Sequence, residues 1–186
     1  MGKSKALLPW KARPTLIEYQ VRALDQAGYA PIIVVLGHDA VNVHVALPDD
    51  VETSVIFNQY FTQGRTSSII AGVLPLAGIG TGGVGAVLLI NVDQPRTVPM
   101  LRALREAWEE QHPPIIVPAL DGKPGHPSLF DAALIPELAQ LTEESEGLRK
   151  VMSNHYAERV LLSVSDPLTL TNLNTLEDYE AALKLV

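Results

Sequence analysis

The chain has 186 residues, of which 47% are hydrophobic and 19% charged, and its formal net charge is −7. This length and composition predict a single domain over residues 1–186 with a sizeable buried core. The acidic balance and the absence of a Lys/Arg run exclude the usual electrostatic basis for binding nucleic acid.

The sequence contains no cysteine, which excludes disulfides, thiolate catalysis and thiolate metal sites. The longest apolar runs, residues 31–36 and 86–90, are far shorter than the ~18 residues that a membrane span needs. The start of the chain has no long apolar run typical of a signal peptide. We therefore expect a cytoplasmic protein with neither a membrane nor a nucleic-acid partner.

Helical periods and continuous β-branched runs alternate along the chain. In chain order they predict a helix at 15–28, strands at 31–36 and 53–57, a helix at 67–76, a strand at 86–90, a helix at 98–111, a strand at 114–117, helices at 134–141 and 147–155, a strand at 160–164 and a helix at 176–185. Continuous apolar strands are typical of a mostly parallel sheet covered on both faces, so we expect a layered α/β fold. In such folds ligands bind beyond the carboxyl ends of the strands.

The strand predicted at 86–90 ends in the sequence Asp93-Gln94-Pro95. A carboxylate at a strand end can bind Mg²⁺, which takes one or two carboxylates together with substrate phosphates. The same aspartate can instead cap the helix that begins near Thr97. These residues alone leave both interpretations open.

A second candidate is the loop of residues 122–127, which contains two glycines, two prolines and His126. Gly125 lets the backbone approach a ligand closely, and the prolines stiffen the loop. His126 can donate a hydrogen bond to a base or a phosphate. The alternative is a tight turn that carries a surface histidine.

A third candidate is the segment 63–69, where Gly64 precedes three hydroxyl residues. The free N–H groups at the start of the following helix can bind an anion. An ordinary capped helix explains the same pattern and is the favoured interpretation.

A fourth candidate is the segment 172–179. Thr175, followed three residues later by Asp178, resembles a capping box with aspartate in place of the usual Glu or Gln. Asn174 lies just outside the predicted helix and can supply an amide oxygen to a metal ion. The two roles are compatible.

The segment 78–83 matches the pattern G-x-G-x-x-G. The dinucleotide-binding fingerprint requires a strand before it and a helix after it, whereas here the predicted order is reversed. We interpret the segment as a connector.

These features, in this order, resemble the MobA-like nucleotidyltransferases, and most closely the MocA branch, the molybdenum-cofactor cytidylyltransferases. The matching segments are residues 1–5, similar to the end of R-M-G-x-x-K; Asn58, Gly64 and Ser68, similar to N-x₅-G-x₃-S; residues 93–95, D-Q-P; residues 125–127, G-H-P; Gly147 and Arg149, G-x-R; and residues 174–178, similar to [DN]-T-P-E-D. The ordered combination spans nearly the whole chain.

The resemblance implies the three-layer α/β/α fold of nucleotide-diphospho-sugar transferases and the transfer of a nucleotide, CMP from CTP, to a phosphorylated acceptor such as molybdopterin. Lys5 would neutralise the triphosphate. Asp93 would bind the cofactor Mg²⁺, with Asn174 or Asn172 nearby. A molybdoenzyme is an implied protein partner.

The remaining matched positions divide between the two substrates. On the nucleotide side, the resemblance implies that Asn58, Gly64 and Ser68 help to hold the nucleotide. On the acceptor side, it implies that Gly125 and His126 line the binding surface.

The sequence departs from the family pattern in two places. The family opens with a strand and a glycine-rich loop before R-M-G, whereas the printed sequence starts at the methionine of that motif, so we expect the neighbours of such a strand to be left without hydrogen-bond partners. In the tail, Leu176 replaces proline, and Asn172 and Asn174 stand where the MocA branch often has two aspartates, so less negative charge is available to bind Mg²⁺.

Two alternatives follow from these departures. A chain without the phosphate loop would retain the acceptor pocket and act as a non-catalytic pterin-binding module. A guanylyltransferase or a sugar-phosphate nucleotidyltransferase would use the same fold, because fold alone does not choose a substrate.

Overall fold

The structure, a computed structural model, describes residues 4–78, 83–144 and 146–185. Its α-helices in these ranges are α1 (Leu16–Gln26), α2 (Ala40–Val45), α3 (Arg65–Ala77), α4 (Val98–Gln111), α5 (Ile135–Leu138), α6 (Leu148–Asn154) and α7 (Leu176–Leu183). Its strands are β1 (Ile32–Leu36), β2 (Thr53–Phe57), β3 (Ala86–Leu89), β4 (Ile115–Leu120), β5 (Lys123–Pro124), β6 (Ser128–Asp131) and β7 (Val160–Ser163). None of the described helices is long and apolar enough to cross a membrane. The predicted glycine-rich connector falls outside the described residues at positions 79–82.

The strands form two hydrogen-bonded groups. In the first, β1 and β2 are parallel, with Ile32 opposite Thr53. In the second, the order is β3-β6-β4-β5, and β7 pairs with β4 in parallel while β6 runs antiparallel to both of its neighbours. The strand pairing is therefore mixed: the pairs β1/β2 and β4/β7 are parallel, as the continuous apolar runs predict, and β5 and β6 add antiparallel pairings.

Helix α1 forms because it has a good N-cap and an apolar stripe. The Thr15 hydroxyl accepts a hydrogen bond from the Glu18 N–H at 3.3 Å, which satisfies one of the amides that a helix start leaves free. Ile17 and Val21, four residues apart, are buried in one cluster with Leu36 of β1. Burying side chains of this size contributes about 1.5–3 kcal/mol each.

Strand β4 shows how both faces of the sheet are covered. Ile115 is fully buried in a cluster with Val73 of α3 and Leu138 of α5. Its neighbour Ile116 points to the other face and is buried with Leu104 of α4. Helices therefore cover the sheet on both sides, and the predicted three-layer α/β/α fold is confirmed.

Helix α2 and the short strands β5 and β6 have no counterpart in the sequence prediction. Helix α2 buries only Val43, while Val41 and Val45 are 77% and 79% exposed, so the segment lacks the periodic apolar stripe that reveals a helix. Strand β6 is only four residues long and follows directly after a proline, which is too little for a period to be recognised.

In the described residues no hydrogen-bonded ladder joins the two groups of strands, and a cavity lies between β1 and β3. Leu36 O accepts a hydrogen bond from Asn58 N–H at 2.8 Å, so this carbonyl of β1 points toward β2. Because backbone groups alternate sides along a strand, those of Ile33 and Val35 point away from β2. In the described residues no ladder joins this edge of β1 to another strand.

Strand β3 presents a matching edge. Gly85 O accepts a hydrogen bond from Ala132 N–H at 2.9 Å, which fixes the alternation of the antiparallel pair with β6. Val87 therefore forms its backbone hydrogen bonds with β6, whereas the N–H and C=O groups of Ala86 and Leu88 point away from β6. Like β1, β3 therefore has one edge that pairs with no other described strand.

Amide hydrogen exchange tests this alternation. We expect the amides of Ile33 and Leu88 to exchange at least tenfold faster than those of their neighbours Val34 and Val87, because only the neighbours donate to a strand. Residue-resolved exchange measured by NMR provides the rates. Equal protection of neighbouring amides along β1 and β3 would contradict the two open edges.

Candidate functional site

A cavity of about 720 Å³ lies between β1 and β3. Most of its wall is apolar, and its polar residues gather where β3 ends, as expected for a ligand site in a layered α/β fold. The charged and polar side chains there belong to Lys5, Arg65, Ser68, Asn91, Asp93, Gln94, Asn172 and Asn174. The cavity thus brings together residues from the start, the middle and the end of the chain.

Lys5 lies between two oxygen ligands. Its Nζ is 3.1 Å from Asp93 Oδ2 and 3.4 Å from Asn174 Oδ1. The side chains of Lys5 and Asp93 are 30% and 27% exposed, so water screens the pair and its contribution to stability is at most about 1 kcal/mol. Three predicted site residues meet here, and the ion pair is weak enough to exchange partners when a charged ligand enters. The Met1–Lys3 part of the matched N-terminal motif lies outside the described residues.

Asp93 is anchored through its backbone to the loop that carries the asparagines. Its carbonyl accepts a hydrogen bond from Leu173 N–H at 2.8 Å. Next to it, the buried Gln94 donates from Nε2 to Asn172 Oδ1 at 2.5 Å. Asn172 is therefore committed to Gln94, while Asn174 has its side-chain oxygen directed to the cavity.

The capping box predicted at the start of α7 is confirmed. Thr175 Oγ1 accepts from Asp178 N–H at 3.1 Å, and Asp178 Oδ2 accepts from Thr175 N–H at 2.9 Å. The same carboxylate oxygen accepts from Asn174 N–H at 3.2 Å. The cap uses the backbone of Asn174 and leaves its amide side chain beside Lys5, so capping and ligand binding are compatible here.

Arg96 holds the site loops together and is completely buried. Its Nε donates to His126 O at 2.7 Å, its Nη1 to Pro95 O at 2.8 Å, and both terminal nitrogens donate to Thr171 O at 3.2 Å. Its Nη2 also reaches Thr169 O at 3.3 Å. Burial lowers the pKa of Arg96 to about 10, which still leaves it charged at neutral pH.

Gly125 of the G-H-P loop lies very close to the backbone of Thr169. A Cβ added to Gly125 would lie 2.3 Å from Thr169 O, a separation that no side chain tolerates. The adjacent His126 is half-buried, and burial lowers its pKa, with the positive charges of Arg96 and Arg65 acting in the same direction. At neutral pH His126 is therefore an uncharged imidazole. It does not line the cavity between β1 and β3.

Asn58 is buried and engaged in local hydrogen bonds. Its Nδ2 donates to Ser67 Oγ at 2.9 Å and to Ser68 Oγ at 3.0 Å, and its Oδ1 accepts from Tyr60 N–H at 2.9 Å. Of the predicted nucleotide residues in this segment, Ser68 lines the cavity and Asn58 does not. Asn58 thus acts on the cavity only by orienting the Ser68 hydroxyl.

Gly64 faces a carboxylate at the start of α3. Its φ of 110° suits glycine, and an added Cβ would lie 2.5 Å from Glu143 Oε1. That same oxygen accepts from Thr66 N–H at 3.0 Å, and hydrogen bonds from the side chain and then the backbone of Thr66 lower the pKa of Glu143. The distant Glu143 carboxylate therefore satisfies an amide at this helix start, whereas the Ser67 hydroxyl of the segment donates to Gly64 O and does not cap the helix as the sequence pattern predicts.

The donor set at Lys5 suits a divalent cation that is shared with a ligand. In the part of the chain that the structure describes, no group of three or more His, Asp or Glu side chains could hold a metal alone. Asp93 and Asn174 offer one carboxylate and one amide oxygen around the position of the Lys5 ammonium. Hard oxygen donors in this number fit Mg²⁺, which completes its shell with substrate phosphates and water.

Sequence reasoning missed two side chains of the site. Gln94 and Arg96 flank the proline of D-Q-P, and only this position next to the motif could have suggested that they have a role in the site. Their roles depend on burial against the loops at 126 and 169–172, which lie far away in sequence.

Known proteins resemble this chain over most of its length. The MobA-like NTP transferase domain family matches residues 1–160. A curated relative, the molybdenum cofactor cytidylyltransferase of Escherichia coli (strain K12), is 23% identical over 185 residues, which is 98% of this chain and 88% of the relative. The crystal structure of Rv0371c from Mycobacterium tuberculosis H37Rv matches with a TM-score of 0.78 at 24% identity, covering 99% of this chain and 90% of that one. Its manganese complex matches with a TM-score of 0.73 at 24% identity, covering 98% and 93%.

The Arg96→Met variant tests the buried guanidinium. Losing every donor leaves buried carbonyls without partners, so we expect the free energy of unfolding to fall by about 3 kcal/mol. Arg96→Lys, which keeps the charge but fewer donors, should lie between this variant and the wild type. Urea denaturation measures all three proteins.

The control for this prediction is Arg102→Met, which removes an exposed arginine of α4, the helix that begins two residues after Arg96. It should change stability by less than about 0.5 kcal/mol. An equally small change for Arg96→Met would show that the loops do not depend on the guanidinium.

Proposed function

Since the chain belongs to the MobA-like NTP transferase family, we propose that this nucleotidyltransferase transfers CMP from CTP to a phosphorylated pterin of the molybdopterin type, with Mg²⁺ as cofactor. The choice of CTP is supported by the D-Q-P and G-H-P motifs and by the E. coli cytidylyltransferase relative. The observation that carries the proposal is the meeting of Lys5, Asp93 and Asn174 at one end of the cavity.

Asp93 and Asn174 hold the cation in this proposal. Both place oxygens around a position that a positive charge, the Lys5 ammonium, already occupies. A bound Mg²⁺ supplies Lewis-acid stabilisation of the charge that develops on the phosphates. The manganese complex of Rv0371c agrees with a divalent cation in this fold.

Lys5 neutralises the triphosphate. A divalent ion at Asp93 competes with the ammonium for the carboxylate, and the partly exposed Lys5 then turns to the phosphate oxygens. Such an exchange requires a weak ion pair, and the exposure of both side chains provides it. The lysine acts as a movable positive charge rather than as an acid or base.

The reaction needs no covalent enzyme intermediate. A terminal phosphate oxygen of the acceptor attacks the α-phosphorus of CTP, a new P–O bond forms, and the bond from the α-phosphorus to the bridging oxygen of pyrophosphate breaks. The leaving pyrophosphate carries the electron pair. Positioning the two phosphates in line and neutralising their charge account for the catalysis.

The remaining predicted residues divide between the two substrates. Ser68, oriented by Asn58, faces the cavity on the nucleotide side, and Gly64 sets the start of α3 beneath it. Gly125 and His126 form the acceptor side, where the uncharged imidazole offers a hydrogen bond without repelling or attracting a phosphate. The Arg96 guanidinium joins the acceptor loop to the strand end that carries Asp93.

Asp93→Asn tests the cation site. Removing the carboxylate's charge while keeping its shape should lower kcat about 100-fold or more, with thermal stability nearly unchanged because the pair with Lys5 is exposed. Pyrophosphate release from CTP with Mg²⁺ and a phosphorylated pterin measures the rate. The matched control is Asp121→Asn, on an exposed turn, which should retain the wild-type rate. Wild-type turnover in Asp93→Asn would refute the cation assignment.

Nucleotide selectivity tests the choice of substrate. Isothermal titration in Mg²⁺ with CTP, GTP and UTP should give the tightest binding to CTP, by about tenfold or more. Preference for GTP would convert the assignment to a guanylyltransferase. Pterin binding without binding of any nucleotide would identify a non-catalytic module instead.

A further inference from the structure

Arg65, the first residue of α3, is one of three charged residues in the described wall of the cavity, and the others are Lys5 and Asp93. We propose that the Arg65 guanidinium is the subsite for the attacking phosphate of the acceptor, which it holds in line with the α-phosphorus of CTP. This inference rests on the proposed function and adds the residue that binds the second anion. The acceptor class that it takes is a phosphomonoester, whose charge at neutral pH is about −1.5 to −2.

The position of Arg65 on α3 directs it to the cavity. Residues three or four apart lie on the same face of a helix. Besides Arg65, the residues of α3 that line the cavity follow this spacing: Ser68, Ile69, Gly72, Val73 and Leu76. Arg65 therefore stands on the cavity face of α3, one turn before Ser68, and these two residues form the polar part of that face.

The guanidinium of Arg65 is available to a ligand. The residue is exposed, and its side chain forms no hydrogen bond or ion pair with any other residue that the structure describes. The two other positive charges near the site are engaged, because Lys5 pairs with Asp93 at 3.1 Å and Arg96 donates to backbone carbonyls. An incoming anion can therefore bind Arg65 without displacing any described partner.

Arg65 is also close to the loop that carries the acceptor residues. Its positive charge acts on His126, where it adds to burial and to the charge of Arg96 in lowering the pKa of the imidazole. Because His126 is uncharged at neutral pH, it can donate a hydrogen bond to a phosphate but cannot neutralise it. Arg65, on the facing helix, supplies the positive charge that the imidazole lacks.

The backbone at the start of α3 is not the group that binds the phosphate. Glu143 Oε1 already accepts a hydrogen bond from Thr66 N–H at 3.0 Å, so an anion at the helix terminus would meet a carboxylate. Glu143 and Arg65 form no ion pair with each other. The side chain of Arg65, which extends from this terminus to the cavity wall, is therefore the anion-binding group.

Transfer between two phosphates requires positive charge on both of them. Attack brings two anions together, and their repulsion is stronger in a cavity than in bulk water. Lys5 and the cation site at Asp93 neutralise the triphosphate in the proposed function, which leaves Arg65 for the attacking phosphate. A planar guanidinium binds a phosphate through two parallel N–H···O bonds, so it fixes the direction of the attacking oxygen as well as reducing the repulsion.

Binding of methyl phosphate to the full chain tests the subsite without any turnover. The arginine Nε–Hε resonances in an NMR titration report which guanidinium meets the ligand. We expect the Arg65 resonance to shift and to saturate. The affinity should fall about tenfold or more in Arg65→Gln, and less in Arg65→Lys, which keeps the charge but not the planar pair of donors.

The matched control is Arg102→Gln, which removes the same charge from an exposed position of α4. It should bind methyl phosphate like the wild type. Isothermal titration with CTP and Mg²⁺ should show a change of less than about twofold in every variant, because the nucleotide is held elsewhere in the cavity. In turnover with a phosphorylated pterin, Arg65→Gln should raise KM for the acceptor about tenfold or more and leave KM for CTP nearly unchanged.

The outcomes separate this inference from the proposed function. An Arg65 resonance that does not respond to methyl phosphate, or an unchanged affinity in Arg65→Gln, would overturn the subsite even if the enzyme turns over CTP. A loss of CTP affinity in Arg65→Gln as large as the loss for methyl phosphate would assign Arg65 to the nucleotide and would also overturn it. Binding of methyl phosphate at Arg65 without turnover of a phosphorylated pterin would support the subsite and refute the pterin acceptor.

Discussion

The geometry of the site depends on one buried guanidinium. Arg96 donates from all three nitrogens to backbone carbonyls of three loops, which bear Asp93, His126 and the asparagines of the tail. Burying a positive charge is costly unless every N–H donor has an acceptor. Displacement of any one of the three loops would therefore leave part of the Arg96 guanidinium without an acceptor. Residues separated by about half the chain thereby keep fixed positions around the cavity.

In contrast to the buried Arg96, the charged side chains closest to the cavity are accessible to water. Lys5 and Asp93 are partly exposed, and their ion pair contributes little to stability, which leaves both able to change partners. A rigid frame with a few exchangeable charges suits phosphoryl chemistry, where catalysis consists largely of positioning and charge neutralisation.

Local patterns in the sequence predicted most of the fold. Helix α4 coincides with its prediction at 98–111, and all five predicted strands are present because continuous β-branched runs favour strands, although β2 and β7 are not buried on both faces. The ordered motifs also predicted that Lys5, Asp93 and Asn174 share a site. The burial of Asn58, the capping of α3 by Glu143 and the role of Arg96 were not predictable, because each depends on a contact between distant segments. Helix α2 and strand β6 were not predicted because neither has a periodic pattern of apolar residues.

Paramagnetic broadening by Mn²⁺ tests the shared cation most directly. With Mn²⁺ and CTP bound, the side-chain amide resonances of Asn174 should broaden strongly, while those of the exposed Asn154 on α6 stay sharp. The Asp93→Asn variant should abolish the broadening at equal Mn²⁺ concentration, because one of the two oxygen ligands loses its charge. Sharp Asn174 signals in the wild-type complex, or broadening that survives in Asp93→Asn, would contradict a cation held between Asp93 and Asn174.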